Sequence, residues 1–154
     1  LMYNINMKKL NITPIWSLLE ICFEVIVNFF YTIILFEFRA IDLGVIAIGI
    51  YLILATPIWF KRNSTTIIPR RKPTALIVEG PFKLSRNPMY LGMVLVTFGV
   101  GMTLGSIQAL LPSVWLLLFL KKNYIIPEER KLIEAMGSGA QKYFIETGRW
   151  IWFL

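Results

Sequence analysis

Gly80-Pro81-Phe82-Lys83-Leu84-Ser85-Arg86-Asn87-Pro88-Met89-Tyr90-Leu91-Gly92 passes from a polar turn straight into an apolar run that continues to about Leu104. Asn87 stands where a helix cap belongs and Pro88 at the first helical position, where a missing N–H costs nothing. The first turn of such a helix leaves backbone N–H groups without partners, and Arg86 adds a full positive charge beside them. The turn therefore suits an anionic ligand. Locally, an ordinary cap at Asn87 and a contact of Arg86 with lipid phosphate would account for the same residues.

Outward from this turn, three more apolar runs appear. One spans about residues 14–36, with Thr13 as cap and Pro14 at the first helical position; a second spans 43–60. The run that begins at Pro88 ends near 104, and a fourth, 107–120, follows after Gly105-Ser106, so these two predict a tight helical hairpin. A span needs about 20 residues, which makes the fourth run short and its depth in a membrane open. With 56% hydrophobic residues and a mean hydropathy of +0.65, the 154-residue chain exceeds the roughly 45–50% apolar content of a soluble domain. No alternating strand pattern is present, and lipid cannot satisfy the backbone of an open sheet. The fold class predicted is all-α: a single integral-membrane helical bundle over residues 1–154, with about four transmembrane helices.

Charge gives the orientation. Lys8 and Lys9 precede the first run, seven basic residues lie from Lys61 to Arg86, and six follow from Lys121 onward; only Arg39, in the loop from Glu37 to Asp42, falls on the other side. Basic loops stay cytoplasmic, which predicts four crossings and both termini in the cytoplasm. Topology and anionic lipids account for the net charge of +7, so nucleic acid is not expected as a partner. The first run is too long for the core of a signal peptide and no small-residue cleavage site follows it. The polar segments 61–87 and 121–154 then share one membrane surface. In the second, Ile125-Ile126-Pro127-Glu128-Glu129-Arg130 predicts the start of an amphipathic helix that ends at Gly137 or Gly139.

The chain has no histidine and a single cysteine, Cys22, which excludes an intramolecular disulfide, a Cys/His zinc site and the commonest general base. No metal site is expected. Chemistry must come from carboxylates, Tyr, Lys, Arg or a cofactor. Glu128 and Glu129 at a helix start are favoured by about 0.3–1 kcal/mol through the helix dipole, and either is also placed to accept hydrogen bonds from a cofactor hydroxyl or ammonium. Glu20 and Glu24, one turn apart, share a face of the first helix. They pair with interfacial lysines and arginines, or they form a site for a cationic substrate group.

These residues together resemble the isoprenylcysteine carboxyl methyltransferase and phospholipid methyltransferase family of integral-membrane enzymes. The likeness covers about the C-terminal two-thirds and rests on Thr65-Thr66-Ile67-Ile68-Pro69, Ala75-Leu76-Ile77-Val78-Glu79-Gly80-Pro81-Phe82, Ser85-Arg86-Asn87-Pro88-Met89-Tyr90-Leu91-Gly92, Pro127-Glu128-Glu129-Arg130, Gly137, Tyr143 and Arg149-Trp150-Ile151. The resemblance implies S-adenosyl-L-methionine as cofactor. It implies binding by Thr74, Ala75, Leu76, Ile77 and Phe82, by Asn87, Pro88, Met89 and Tyr90, and by Glu128. It leaves Arg86, Glu129 and Arg149 as candidate catalytic residues toward a lipophilic or lipidated acceptor.

Two positions depart from the eukaryotic members: Asn87 stands where they have His, and Tyr124 where they have an Arg proposed to hold the substrate carboxylate. A phenol cannot replace a bidentate guanidinium, which leaves Arg130 or Arg149 as substitutes. The function implied is methyl transfer of the isoprenylcysteine carboxyl methyltransferase kind. A phospholipid amine methyltransferase is the alternative within enzymes, and a membrane interaction protein that keeps the fold is the alternative outside them.

Overall fold

The computed structural model describes residues 13–30, 39–65, 73–105 and 108–151. The sequence expectations for Lys8 and Lys9, for the end of the first run, for Thr66 to Pro69 and for the Ser106 link fall outside these residues. Every regular element described is helical: α1 (Thr13–Phe30), α2 (Arg39–Arg62), α3 (Pro88–Leu104), α4 (Leu111–Leu120), α5 (Ile126–Met136) and α6 (Ser138–Glu146). Short 3-10 turns occupy Gly80–Lys83 and Gln108–Leu110. Among the described residues α2 alone, over Ala40–Arg62 with mean hydropathy 2.2, is long and apolar enough to cross a membrane.

α1 and α2 carry large apolar side chains on their outer faces. Leu18 is 61% and Ile58 66% exposed, whereas Glu24 and Asp42 are 1% exposed. On α1 and α2, then, apolar side chains face out while these two acids face in. Inward hydroxyls find acceptors on their own helices: Thr56 donates to the Leu52 carbonyl (2.6 Å) and Thr97 to that of Met93 (3.0 Å). Such bonds keep polar groups satisfied where no water reaches.

α3 is the central helix. Its packing against α2 relies on glycine: a Cβ on Gly92 would lie 2.6 Å from the Gly49 carbonyl oxygen, and one on Gly49 would lie 2.8 Å from that of Gly92. The two backbones touch, as small residues permit in membrane bundles. The opposite side of α3 meets α1 and α4, where Met93, Leu116, Leu120, Tyr124 and Ile125 form the main apolar core. Gly105, at φ +69°, ends α3 in the left-handed conformation and its N–H reaches the Met102 carbonyl.

The polar helix expected to start in the stretch Ile125 to Arg130 does so, at Ile126, but it is not separate. α4 runs through a π-helical segment, Lys121–Ile125, directly into α5, and Ile125 and Ile126 keep right-handed helical dihedrals. The N–H of Ile126 bonds the Lys121 carbonyl five residues back, which widens the turn just ahead of Pro127. Glu128 and Glu129 are thus inside a continuous rod, and a free helix N-terminus does not explain them. α5 does end at Gly137, and Gly137 (φ +54°) turns the chain into α6, which the sequence reading missed.

Candidate active site

The segment from Pro73 to Tyr90 forms one wall of a cavity beside the N-terminal end of α3. Gly80 takes φ +59°, and a Cβ there would strike the Trp59 indole, so only glycine fits between this loop and α2. The 3-10 turn that follows buries Phe82 against Ile77 and Tyr143. Tyr143, on α6, donates its phenolic O–H to the Phe82 carbonyl at 2.6 Å. Burial raises its pKa above the ordinary tyrosine value, with Arg86 opposing.

A clasp fixes the turn into α3. Ser85, fully buried, donates its hydroxyl to the Arg149 carbonyl (3.1 Å) and accepts the Asn87 N–H (3.0 Å). The Asn87 side-chain amide also donates to the Arg149 carbonyl (3.1 Å), and the Arg86 N–H bonds the Gly148 carbonyl (3.0 Å). Asn87 occupies the cap position of α3, but its side chain makes no cap bond. It ties the loop to the 148–149 segment instead.

Charge is concentrated behind this clasp. Arg149 donates to Glu129 from Nε (3.0 and 3.1 Å) and Nη2 (2.6 Å), and Arg86 Nη1 lies 3.5 Å from Glu129 Oε1. The hydrogen bonds to Glu129 raise the Arg149 pKa, against a lowering by burial. Burial lowers that of Arg86; Glu129 opposes this and Arg149 adds to it. The difference follows from geometry: Arg149 holds the carboxylate bidentately while Arg86 has only its longer side contact. Arg86 also stacks 4.3 Å from the Phe144 ring centre, and its buried Nε has no hydrogen-bond partner. Across the cavity, Tyr90 donates its O–H to Glu128, at 2.9 Å from Oε1 and 3.0 Å from Oε2.

Of the residues expected from sequence, Ala75, Leu76, Ile77 and Phe82 line the cavity, as do Arg86, Asn87, Pro88, Met89 and Tyr90, and Glu128 and Glu129. Thr74 and Arg149 do not. Thr74 turns to the end of α2, where its hydroxyl bonds Ser64 and Thr65, and Arg149 stands behind Glu129. Sequence reasoning missed Thr56 and Phe60 from α2, Thr65 and Pro73 from the loop, Lys131 and Leu132 from α5, and Tyr143 and Phe144 from α6 as walls. For Tyr143 the signal was present, since it belongs to the quoted pattern. The α2 residues carry no local signal.

An orphaned guanidinium nitrogen, a carboxylate and apolar walls on one concave surface are what a small amphipathic ligand requires. No curated protein and no solved structure matches the chain at a significant level. The family described as phospholipid methyltransferase matches residues 38–138, which run from the start of α2 through the cavity segments to the end of α5. More than half of the sequence lies in that match, and the chain belongs to the phospholipid methyltransferase family.

Proposed function

We propose that the chain is an S-adenosyl-L-methionine-dependent methyltransferase that works on a lipophilic acceptor at the cytoplasmic surface of a membrane. The observation that carries this reading is the unpartnered, buried Arg86 Nε on the wall of a cavity that also holds Glu128. A carboxylate would satisfy the first, and ribose hydroxyls or an ammonium the second. Ile77, Phe82 and Phe144 offer an apolar and aromatic wall for a purine. S-adenosyl-L-methionine, when bound, supplies a methyl group already activated by a positively charged sulfur. The chain's own residues then need to position the reactants and keep water out.

Glu129 is committed to two guanidiniums and acts as a positioning residue for Arg86. Glu128, which lines the cavity and accepts the Tyr90 phenol, is the carboxylate placed on the cavity wall to take a proton at Oε1 or Oε2. An amine acceptor releases such a proton and a carboxylate acceptor does not. Recognition of a carboxylate acceptor finds little support: Tyr124 is a buried phenol packed near Tyr90 and Phe119, Arg149 is held by Glu129, and Arg130 is exposed off the cavity. Together with the family match, this favours a phospholipid amine over an isoprenylcysteine carboxylate. Basic loops on the cavity side support the cytoplasmic orientation and four crossings.

Titration of the detergent-purified chain with S-adenosyl-L-methionine tests the proposal. Saturable micromolar binding is expected, and Glu128→Gln and Arg86→Gln should each weaken it by about 1–3 kcal/mol. No saturable binding at millimolar ligand would overturn it. Labelled methyl groups should appear in the amine headgroups of extracted phospholipid; base-labile label in a prenyl-cysteine analogue would indicate an ester and reverse the choice of acceptor.

A further inference from the structure

The rod made by α4 and α5 decides which acid meets which partner. Over Lys121–Ile125 it is π-helical, and the Ile126 N–H reaches back five residues to the Lys121 carbonyl. A π turn holds one residue more than an α turn, so all that follows is rotated by about 100° relative to an unbroken α-helix. In this register α5 turns Glu128, Glu129, Lys131 and Leu132 to the cavity. Without the extra residue each of these places would fall to the residue before it. Glu128 would stand where Glu129 meets Arg149, and Pro127 would stand where Glu128 meets Tyr90. The ion pair would keep a carboxylate and the Tyr90 side of the cavity would lose its own. The wide turn is thus what gives two adjacent acids two different tasks.

Two residues favour that turn. Pro127 offers no N–H to the Asn123 carbonyl four residues back, and its ring would crowd that carbonyl in a regular α-helix. Asn123 turns its side chain the other way: its amide donates to the Phe119 carbonyl, in the last turn of α4, at 2.9 Å. That carbonyl is then satisfied by a side chain, which frees it from needing the main-chain N–H of an α register. Tyr124, the next residue, is 1% exposed, and its ring centre lies 6.1 Å from that of Phe119 and 6.0 Å from that of Tyr90. Tyr90 in turn donates to Glu128. An unbroken set of contacts therefore leads from the turn to the acid.

We propose that Asn123 is a positioning residue for the active site: its amide pins the π turn, and the π turn presents Glu128 to Tyr90 and the cavity. Its bearing on catalysis rests on the reading of Glu128 as a carboxylate that contacts S-adenosyl-L-methionine, whereas its hold on the helix register does not. In the full chain in detergent, Asn123→Leu keeps a similar size without a donor, and Asn123→Ser supplies a hydroxyl that also reaches the carbonyl four residues back. Asn123→Leu should weaken S-adenosyl-L-methionine binding about tenfold, and Asn123→Ser by less than about threefold. Because Asn123 acts through Glu128, Asn123→Leu joined to Glu128→Gln should bind no more weakly than Glu128→Gln alone; additive losses would overturn the proposal. The register itself is read from the distance between spin labels at Lys61→Cys and Glu134→Cys, both exposed positions, in a Cys22→Ser chain. Asn123→Leu should displace that distance, by up to about 8 Å for a 100° swing on a helix of about 5–6 Å radius, and Asn123→Ser should leave it in place. An unmoved distance in Asn123→Leu would overturn the proposal whether or not the cofactor binds. A moved distance in a chain that binds no cofactor would sustain the role of Asn123 in the register and overturn the function proposed above. Asn123→Asp, whose carboxylate has no proton to give the Phe119 carbonyl, is read in the same way should the leucine variant not fold.

Discussion

Tyr143 shows how one side chain serves both the fold and the site. Its ring lines the cavity and its O–H holds the Phe82 carbonyl, so the aromatic wall and the backbone behind it move together. Because burial raises its pKa, the folded chain keeps the phenolic proton at a pH where the unfolded chain has released it. The contribution is full below the unfolded value of about 10 and declines as pH rises beyond it. Tyr143→Phe should cost about 1 kcal/mol at neutral pH and flatten the alkaline fall in stability, as followed by unfolding in detergent from pH 8 to 11. At this scale the sequence was informative where chemistry is local. Arg86, Tyr90 and Glu128 could be named from their neighbours along the chain, but the pairing of Glu129 with Arg149 depends on packing between α5 and a segment twenty residues away.

Among elements, the contrast between Gly92 and Gly44 separates contact from composition. A Cβ on Gly92 meets the Gly49 carbonyl on the facing helix, whereas one on Gly44 meets nothing within 4 Å. Gly92→Ala should therefore destabilise by about 1–3 kcal/mol, because backbone has to give way. Gly44→Ala should stabilise α2 by about 0.5–1 kcal/mol through helix propensity alone. Thermal midpoints of the two variants, compared with the parent chain, read both signs. The helices themselves were legible from apolar runs: α3 begins at Pro88 and ends at Leu104 as its sequence indicates. The fusion of α4 with α5 was not, because Pro127 normally marks a helix start. Here the widened π turn before it absorbs the ring, and no residue type in Lys121–Ile125 announces that turn.

At the scale of the molecule, the walls of the cavity come from α2, the loop before α3, the first turn of α3, α5 and α6. The clasp of Ser85, Arg86 and Asn87 onto Gly148 and Arg149 joins these parts. A chain ended after Glu146 should keep most of its helical circular dichroism in detergent and lose cofactor binding by more than tenfold. Loss of helix content in step with binding would show instead that the clasp is needed for the bundle. Sequence could bring segments 61–87 and 121–154 together, and Phe82 and Arg86 do meet Glu128 and Glu129 at one cavity. Which backbone carbonyl receives which side chain was set by tertiary geometry that periodicity does not carry.

The same clasp fixes an order of events during biosynthesis. When Ser85 and Arg86 are added to the chain, the carbonyls that will hold them are more than sixty residues from being made. At roughly 5–20 residues per second the delay lasts several seconds. Throughout that interval the Ser85 hydroxyl lacks its Arg149 acceptor. Closure of this wall of the cavity therefore waits on Gly148 and Arg149.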